Sequence, residues 1–251
     1  QVLSASTGII GEPLPLEAIQ EGLPEAVDQL EENPDMFSRA MLTTDTSEKK
    51  FSRSLLDGEA RLLGLAKGSG MIRPGMATML AFLFLDWPVE QDCLDQILSR
   101  ACESSFNRIT VDGDMSTNDT VLLWASDLPN REPIQSDSPR ARELEEAVTD
   151  ICYRLAQSIV RDGEGAEKTI RVDVTGAPTD PVARAVADQV AGSSLVKTAF
   201  HGEDPNWGRI FSSIGATAEN LDPDKLLIEI NDHTVYHGGP ESPDQTSLDQ
   251  S

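Results

Sequence analysis

The sequence predicts a mixed fold of helices and strands, α/β or α+β. Three observations carry this reading. Helix-spaced and strand-like segments are interleaved, but not as a strict βαβ series. The 251 residues are 39% hydrophobic and only 5% aromatic, enough for an aliphatic core in one large domain or two modest ones. Residues 78–86 form an apolar run, as a segment buried on both faces does.

Residues 1–11 read as a strand into a turn, with Val2 and Leu3 followed by small residues and two glycines. Residues 14–31 read as a helix, with Leu16, Ile19, Leu23, Val27 and Leu30 at helical spacing and Pro24 as an internal break. Residues 39–46 and 59–67 are expected as strands flanking a polar hairpin region at Asp57 and Gly58. Helix follows over 89–105. Residues 107–124 read as strand, Gly turn and the apolar stretch ending at Trp124. Residues 126–140 are Pro- and Ser-rich, hence a surface loop. Residues 139–161 give the clearest helix, with Leu144, Val148, Ile151, Leu155 and Ile159 in one stripe. Ile170, Val172 and Val174 alternate with polar residues, a half-buried strand. Helix 180–192 spaces Val182, Val186 and Val190 by four. A last strand is expected at 226–230, and a disordered tail at 238–251. No internal repeat is visible.

The formal net charge is −23, from 43 acidic and 20 basic residues. That argues against a nucleic-acid partner and against an anionic membrane. The acids are spread along helices and loops, which reads as a solvated surface. No apolar run reaches 18 residues, and no basic segment precedes an apolar one at the start, so neither a membrane span nor a signal peptide is expected. The first residue is Gln1, and the chain reads as a fragment or processed piece. Cys93, Cys102 and Cys152 form no C-x-x-C pair and read as small core residues of a protein in a reducing compartment.

The most informative segment runs from Lys67 through Gly68, Ser69, Gly70, Pro74 and Gly75 to Ala77 and Thr78, and then into apolar residues 79–85. A Thr between a tight Gly-rich loop and a buried segment is either a satisfied turn hydroxyl or a nucleophile. The segment is not a phosphate-binding loop, because its Lys precedes the glycines.

With other motifs in the same order, this segment resembles the cleavage-site motif of the ornithine acetyltransferases, the family also called glutamate N-acetyltransferase or ArgJ. The other motifs are Ser6-Thr7-Gly8-Ile9-Ile10-Gly11, Met41-Leu42-Thr43-Thr44-Asp45-Thr46, the stretch from Asp112 through Asn118 and Asp119 to Thr120, Asp162-Gly163-Glu164-Gly165, and Leu195-Val196-Lys197-Thr198 with Asp204-Pro205-Asn206-Trp207-Gly208-Arg209. The match covers residues 1 to about 215. The resemblance implies the layered α/β fold of the DmpA/ArgJ-like group, of N-terminal-nucleophile type. It also implies acetyl transfer from N2-acetyl-L-ornithine to L-glutamate through an acetyl-enzyme in ping-pong order.

A Thr hydroxyl needs a base. His occurs only three times, at His201, His233 and His237, and nothing in the sequence sets one against a nucleophile. Cleavage of the Ala77–Thr78 bond removes the need for one. The free α-amine of Thr78, with an unperturbed pKa of about 7.7–8.0, can act as base to its own hydroxyl. Small Ala77 leaves room for attack on the preceding carbonyl, and the glycines permit a pre-shaped backbone. Each half-reaction forms an oxyanion, whose fixed donors are worth about 2.7–4 kcal/mol each. By resemblance Thr7 and Gly8 form the oxyanion hole. Thr43, Lys67, Thr78 and Glu164 bind substrate, with Thr44 as an alternative to Thr43 because strand neighbours face opposite ways. Asn118 and Asp119 are expected as structural hydrogen-bonding residues near the site. No metal is expected, since His201, Glu203 and Asp204 fit no familiar ligand spacing. No bound cofactor is expected either. Acetyl-CoA is left open as a co-substrate.

The family reading divides the chain at the cleavage site: 1–77 as the C-terminal part of an α subunit, 78–237 as β-subunit, and 238–251 as tail. The expected partners are the small-molecule substrates and the α and β pieces of one precursor, forming a dimer of αβ pairs in the cytoplasm. The family's chains extend further at both ends, so the site is expected to be incomplete here. Two other readings stay open: a DmpA-like N-terminal-nucleophile aminopeptidase, and an inactive truncated paralogue acting only as an interaction protein.

Overall fold

In the computed structural model the described residues are 3–73, 79–217 and 221–238. The chain divides into two compact units, Gln1–Ala166 and Glu167–Ser251. The expected cleavage point at 77/78 lies within the sequence range of the first unit.

Unit 1 is built on a four-stranded sheet in the order β1 (Lys49–Leu55), β2 (Ala60–Lys67), β3 (Leu80–Leu85), β4 (Thr120–Ala125). The first three strands are antiparallel neighbours, whereas β3 and β4 run parallel. A parallel pair needs a long crossover. Here it contains helix α3 (Gln91–Ser104). The turn between β1 and β2 is a short helical turn at Leu56–Gly58 in which Asp57 takes φ 56°, matching the hairpin expected at Asp57 and Gly58.

One face of the sheet is covered by α3 and by α4 (Pro139–Arg161). Ser138 caps α4 by accepting from the Ala141 N–H at 3.1 Å, and Pro139 follows at the first helical position. The stripe Leu144, Val148, Ile151, Leu155, Ile159 is fully buried, as its spacing foretells. Gly64 of β2 makes room for this helix: a Cβ there would overlap Cγ2 of Ile151. Alternate residues of β2 face the other way. Leu63 and Leu65 join Met41, Leu80, Phe82 and Leu122 in a smaller cluster on that second face. Farther along it the rings of Phe84 and Trp124 stack with centroids 5.1 Å apart.

Unit 2 packs α5 (Asp180–Gly192), α6 (Ser194–His201) and α7 (Trp207–Gly215) with the hairpin β5 (Leu227–Ile230) and β6 (His233–His237). Val186, Val190, Val196, Ile214, Ile228 and Val235 form its core. In the segment around Trp207, Arg209 donates to the Leu195 carbonyl at 2.8 Å and to Thr198 Oγ1 at 2.9 Å. Trp207 packs on Tyr236 with ring centroids 4.9 Å apart.

Several expectations are corrected. Residues 39–46 are not a strand. Helix α2 (Asp35–Ala40) ends there, and the edge strand is β1. The reason is physical: an edge strand is held by backbone pairing with one neighbour, so Lys-Lys-Phe-Ser-Arg-Ser-Leu needs no apolar alternation, and charges there deter further pairing. Residues 170–174 form no strand, although Val172 and Val174 pack on the core of unit 2. Residues 3–11 also lack strand pairing. Helix α1 (Leu16–Asp28) forms, with Pro24 inside it, but buries none of its residues. Strand β6 occupies residues that sequence pattern placed next to the tail, and helices α6 and α7 are further elements that periodicity alone did not mark. No helix among the described residues is long and apolar enough to cross a membrane.

Candidate active site

Lys67 ends β2 on the face turned away from α3 and α4. It is not the solvated loop lysine that its Gly-rich neighbourhood allows: its relative exposure is 1%. A buried ammonium needs partners. Nζ donates to Thr7 Oγ1 at 2.8 Å and to Thr43 Oγ1 at 3.2 Å. Burial pulls the Lys67 pKa below its ordinary value and the nearby Lys49 adds to that, while the carboxylates of Asp45 and Asp119 act against it. Three residues nominated from sequence, 60 and 24 positions apart, therefore meet at one nitrogen. Thr43, not Thr44, is the one that reaches it. An ammonium has three N–H donors, so among the described residues one is left for a ligand.

A buried charge cluster fixes the surroundings. Lys49, at 1% exposure, donates to Asp45 Oδ1 at 2.7 Å and to Asp162 Oδ2 at 2.5 Å. Asp45 also accepts from the N–H groups of Gly68 at 2.6 Å and Thr43 at 3.3 Å. Thr46 donates to Asp162 through both its amide and its hydroxyl. Burial alone would raise both carboxyl pKa values. For Asp45 the Gly68 N–H and Lys49 outweigh it, and for Asp162 Lys49 and Thr46 do, so both are held below the ordinary range. The cluster thus ties the segment carrying Thr43 to the residue after Lys67 and to the end of α4.

The end of α4 places Glu164. Ser69 Oγ donates to the Asp162 carbonyl at 2.6 Å, and the Glu164 N–H donates to the Ser69 carbonyl at 3.0 Å. The Glu164 carboxylate lies over Gly70, where a Cβ would come within 2.6 Å of Oε1. A side chain at position 70 would push that carboxylate aside. Glu164 is thereby set against the loop that follows Lys67, and not on a free helix end.

Two carboxylates of the loop before β4 hold the backbone on either side of residues 74–78. Asp112 accepts from the N–H groups of Met71 at 2.6 Å and Ile72 at 3.1 Å. Asp119 Oδ1 accepts from the Met79 N–H at 2.9 Å. Asn118 turns to the other wall and donates to the carbonyl and hydroxyl oxygens of Ser6 at 3.3 and 3.1 Å, directly before Thr7. Gly8, beside Thr7, is exposed and carries no contact within 4 Å of an added Cβ, so a ligand can approach its backbone. Ala77 and Thr78, the expected cleavage site and nucleophile, lie outside the described residues.

Cys93 and Cys152 are buried, and burial pushes the Cys102 thiol to about 11 and that of Cys152 higher still. Such thiols stay protonated and are poor nucleophiles. His201 lies in unit 2 with its side chain largely exposed near Glu167. Sequence reasoning missed Asp45, Lys49 and Asp162 as builders of the site. The spacing of Asp45 and Lys49 by four was visible, but Asp162 is 113 residues from Lys49, and no local pattern links them.

The family model described as the ArgJ family matches residues 1–251. The chain is 46% identical over 237 residues to the arginine biosynthesis bifunctional protein ArgJ of Bacillus thuringiensis subsp. konkukian, covering 93% of this chain and 58% of that protein. It is 46% identical over 227 residues to the protein of the same name from Thermotoga neapolitana, with 90% and 57% covered. The Synechocystis protein of that name is 44% identical over 241 residues, with 95% and 58% covered. The crystal structure of arginine biosynthesis bifunctional protein ArgJ from Bacillus halodurans superimposes with a TM-score of 0.59 at 42% identity, covering 62% of this chain and 73% of that one. The chain therefore spans less than two thirds of the length of the curated relatives it matches.

Proposed function

This chain belongs to the ArgJ family and shares its α/β fold, and from that premise we propose that it carries out the acetyl transfer from N2-acetyl-L-ornithine to L-glutamate that its sequence motifs suggest. The observation that supports this most directly is the buried ammonium of Lys67, shared between Thr7 and Thr43.

In this reading the chain first cuts its own Ala77–Thr78 bond. The bond lies in the connection between β2 and β3, which pair from Leu62↔Leu85 to Lys67↔Leu80. The two pieces would thus stay together in one sheet as α and β parts. The Thr78 amine then takes the hydroxyl proton as Oγ attacks the acetyl carbonyl. Thr7 and the Gly8 N–H serve the oxyanion, with Lys67 holding the Thr7 hydroxyl in place. The remaining Lys67 donor suits a substrate carboxylate, and Glu164 suits a substrate ammonium. Ornithine leaves, glutamate enters, and its amine accepts the acetyl group. Acetyl-CoA, a dimer of αβ pairs and a cytoplasmic setting belong to the same proposal.

The test is intact mass together with an acetyl-transfer assay. Two fragments summing to the chain plus water, the second starting at Thr78, are expected, along with transfer from N2-acetylornithine to glutamate. Thr78→Ala should abolish both. Retained transfer in that variant, or release of amino acids from short peptides without transfer, would overturn the proposal.

A further inference from the structure

Thr7 and Gly8, the expected oxyanion donors, lie in a segment that pairs with no strand. In a sheet, ladder bonds fix the direction of each peptide plane. Here that task falls to side chains from elsewhere in the chain. Ala5 packs on the small cluster of the second sheet face. Lys67 Nζ donates to Thr7 Oγ1 at 2.8 Å. An ammonium has no lone pair to offer in return, so the Thr7 O–H points away from Nζ and stays available as a donor. The backbone is held by Asn118, whose Nδ2 donates to the Ser6 carbonyl at 3.3 Å and to Ser6 Oγ at 3.1 Å. Among the described residues no other group bonds to that carbonyl.

The Ser6 carbonyl and the Thr7 N–H belong to one planar, trans peptide and point opposite ways. A donor fastened to that carbonyl therefore sets the plane from which the Thr7 side chain and the next peptide, with the Gly8 N–H, are built out. Asn118 is itself set. Nδ2, and not Oδ1, must face the Ser6 carbonyl, because a carbonyl oxygen only accepts. Oδ1 accepts from the Thr117 hydroxyl at 2.8 Å, and the Asn118 N–H donates to Ser116 Oγ at 3.1 Å. The Asn118 carbonyl accepts from the hydroxyl of Thr120, the first residue of β4, at 3.2 Å. The amide thus reaches the unpaired segment from the start of a sheet strand.

We propose that Asn118 is a positioning residue for acetyl transfer: its side-chain amide grips the peptide before Thr7 and holds the oxyanion donors in one orientation. This rests on the acetyl-transfer reading above. In this role Asn118 touches neither the substrate nor the reacting atoms, and no proton or bond changes on it. It acts through Thr7. A donor stabilises an oxyanion best when it already faces the place where charge gathers, and one that must turn at the moment of reaction stabilises it less. Both half-reactions pass through an oxyanion, so both depend on this grip.

The experiment follows acetyl transfer from N2-acetylornithine to glutamate in the wild-type full chain, in Asn118→Ala, Asn118→Asp and Thr7→Ala, and in the Asn118→Ala/Thr7→Ala pair. Asn118 is exposed and outside the core, so Asn118→Ala should lower the melting temperature by no more than about 5 °C. Its kcat should fall about tenfold or more while KM for N2-acetylornithine stays within about twofold, because a misaligned oxyanion donor is felt in the transition state and not in binding. Rapid-quench mass spectrometry should show formation and discharge of the acetyl-enzyme slowed alike. Asn118→Asp keeps the shape but has no donor at pH 7, and should lose as much kcat as Asn118→Ala. Adding Asn118→Ala to Thr7→Ala should cost less than about threefold more, because the residue acts through Thr7. An unmoved kcat in Asn118→Ala, a wild-type kcat in Asn118→Asp, a loss confined to KM or to one half-reaction, or losses that multiply in the pair would each overturn the inference. Should Asn118→Ala not fold, Asn118→Asp alone and on Thr7→Ala decides the same questions. A wild-type chain that transfers no acetyl group overturns the acetyl-transfer reading and this inference together, whereas an active wild type with an unmoved Asn118→Ala overturns this inference alone.

Discussion

Replacing Lys49 by Met should destabilise the first unit by about 3–5 kcal/mol at neutral pH, the usual range for removing one partner of a buried ion pair. The structure sets the size. Lys49, Asp45 and Asp162 have side-chain exposures of 0%, 0% and 6%, with contacts of 2.7 and 2.5 Å. Met fills much of the same volume but leaves two buried carboxylates without their cation. In the native chain both carboxyl pKa values lie below the ordinary value, so the pairing stabilises above the unfolded pKa of about 3.9 and is lost as pH falls through the folded values. In the variant, burial acts with fewer opposing donors and raises both pKa values, so a penalty opens as pH climbs from about 4. The gap between the two proteins should therefore be largest at pH 7 and shrink toward pH 4. Urea unfolding at pH 4, 5.5 and 7 reads it directly, and the corresponding loss in melting temperature is about 6–20 °C. A gap under about 1 kcal/mol at pH 7, or one of equal size at pH 4, would refute the claim that Lys49 is the cation on which the cluster depends.

Other consequences are open to measurement. Gly64→Ala should destabilise by about 1–3 kcal/mol through overpacking against Ile151, and adding Ile151→Ala should make the pair less than additive in a denaturation cycle. Gly70→Ala should displace the Glu164 carboxylate, raising KM several-fold with little change in melting temperature; an unchanged KM would remove Glu164 from the substrate site. Ser138→Ala should cost about 1 kcal/mol from loss of the α4 cap, read by chemical denaturation. The folded Asp119 pKa of about 6 lies above the unfolded value, so its contribution to stability is present at low pH and is lost as pH rises through 6. Asp119→Asn should then raise the melting temperature at pH 7 and leave it unchanged near pH 4.

The elements legible in the sequence are those whose signal is local. Helix 139–161 is legible to the residue, because its apolar stripe and its polar opposite face lie within one segment. Helix 180–192 is equally clear in the sequence, the strand expected at 59–67 is observed at Ala60–Lys67, and the apolar run 78–86, read as a buried segment, holds the strand Leu80–Leu85. Strand 49–55 was missed because its stability comes from its neighbour. Residues 170–174 form no strand because alternation alone cannot supply a pairing partner.

The order of short motifs marked Thr7, Thr43, Lys67 and Glu164, since each sits in a recognisable local string. The fold decided what those residues do to one another. It buried Lys67 and gave it two hydroxyls from distant segments, set Glu164 over Gly70, and locked the loop through a lysine and two aspartates 113 and 4 residues away. The physical reason is that hydrophobic periodicity is written along the chain, whereas desolvation and charge pairing depend on which segments are brought together. A lysine in a glycine-rich stretch looks the same on paper whether it is solvated or buried. The pairing of β2 with β3 and the hydroxyls of Thr7 and Thr43 on the face away from α4 are what make this one a buried lysine.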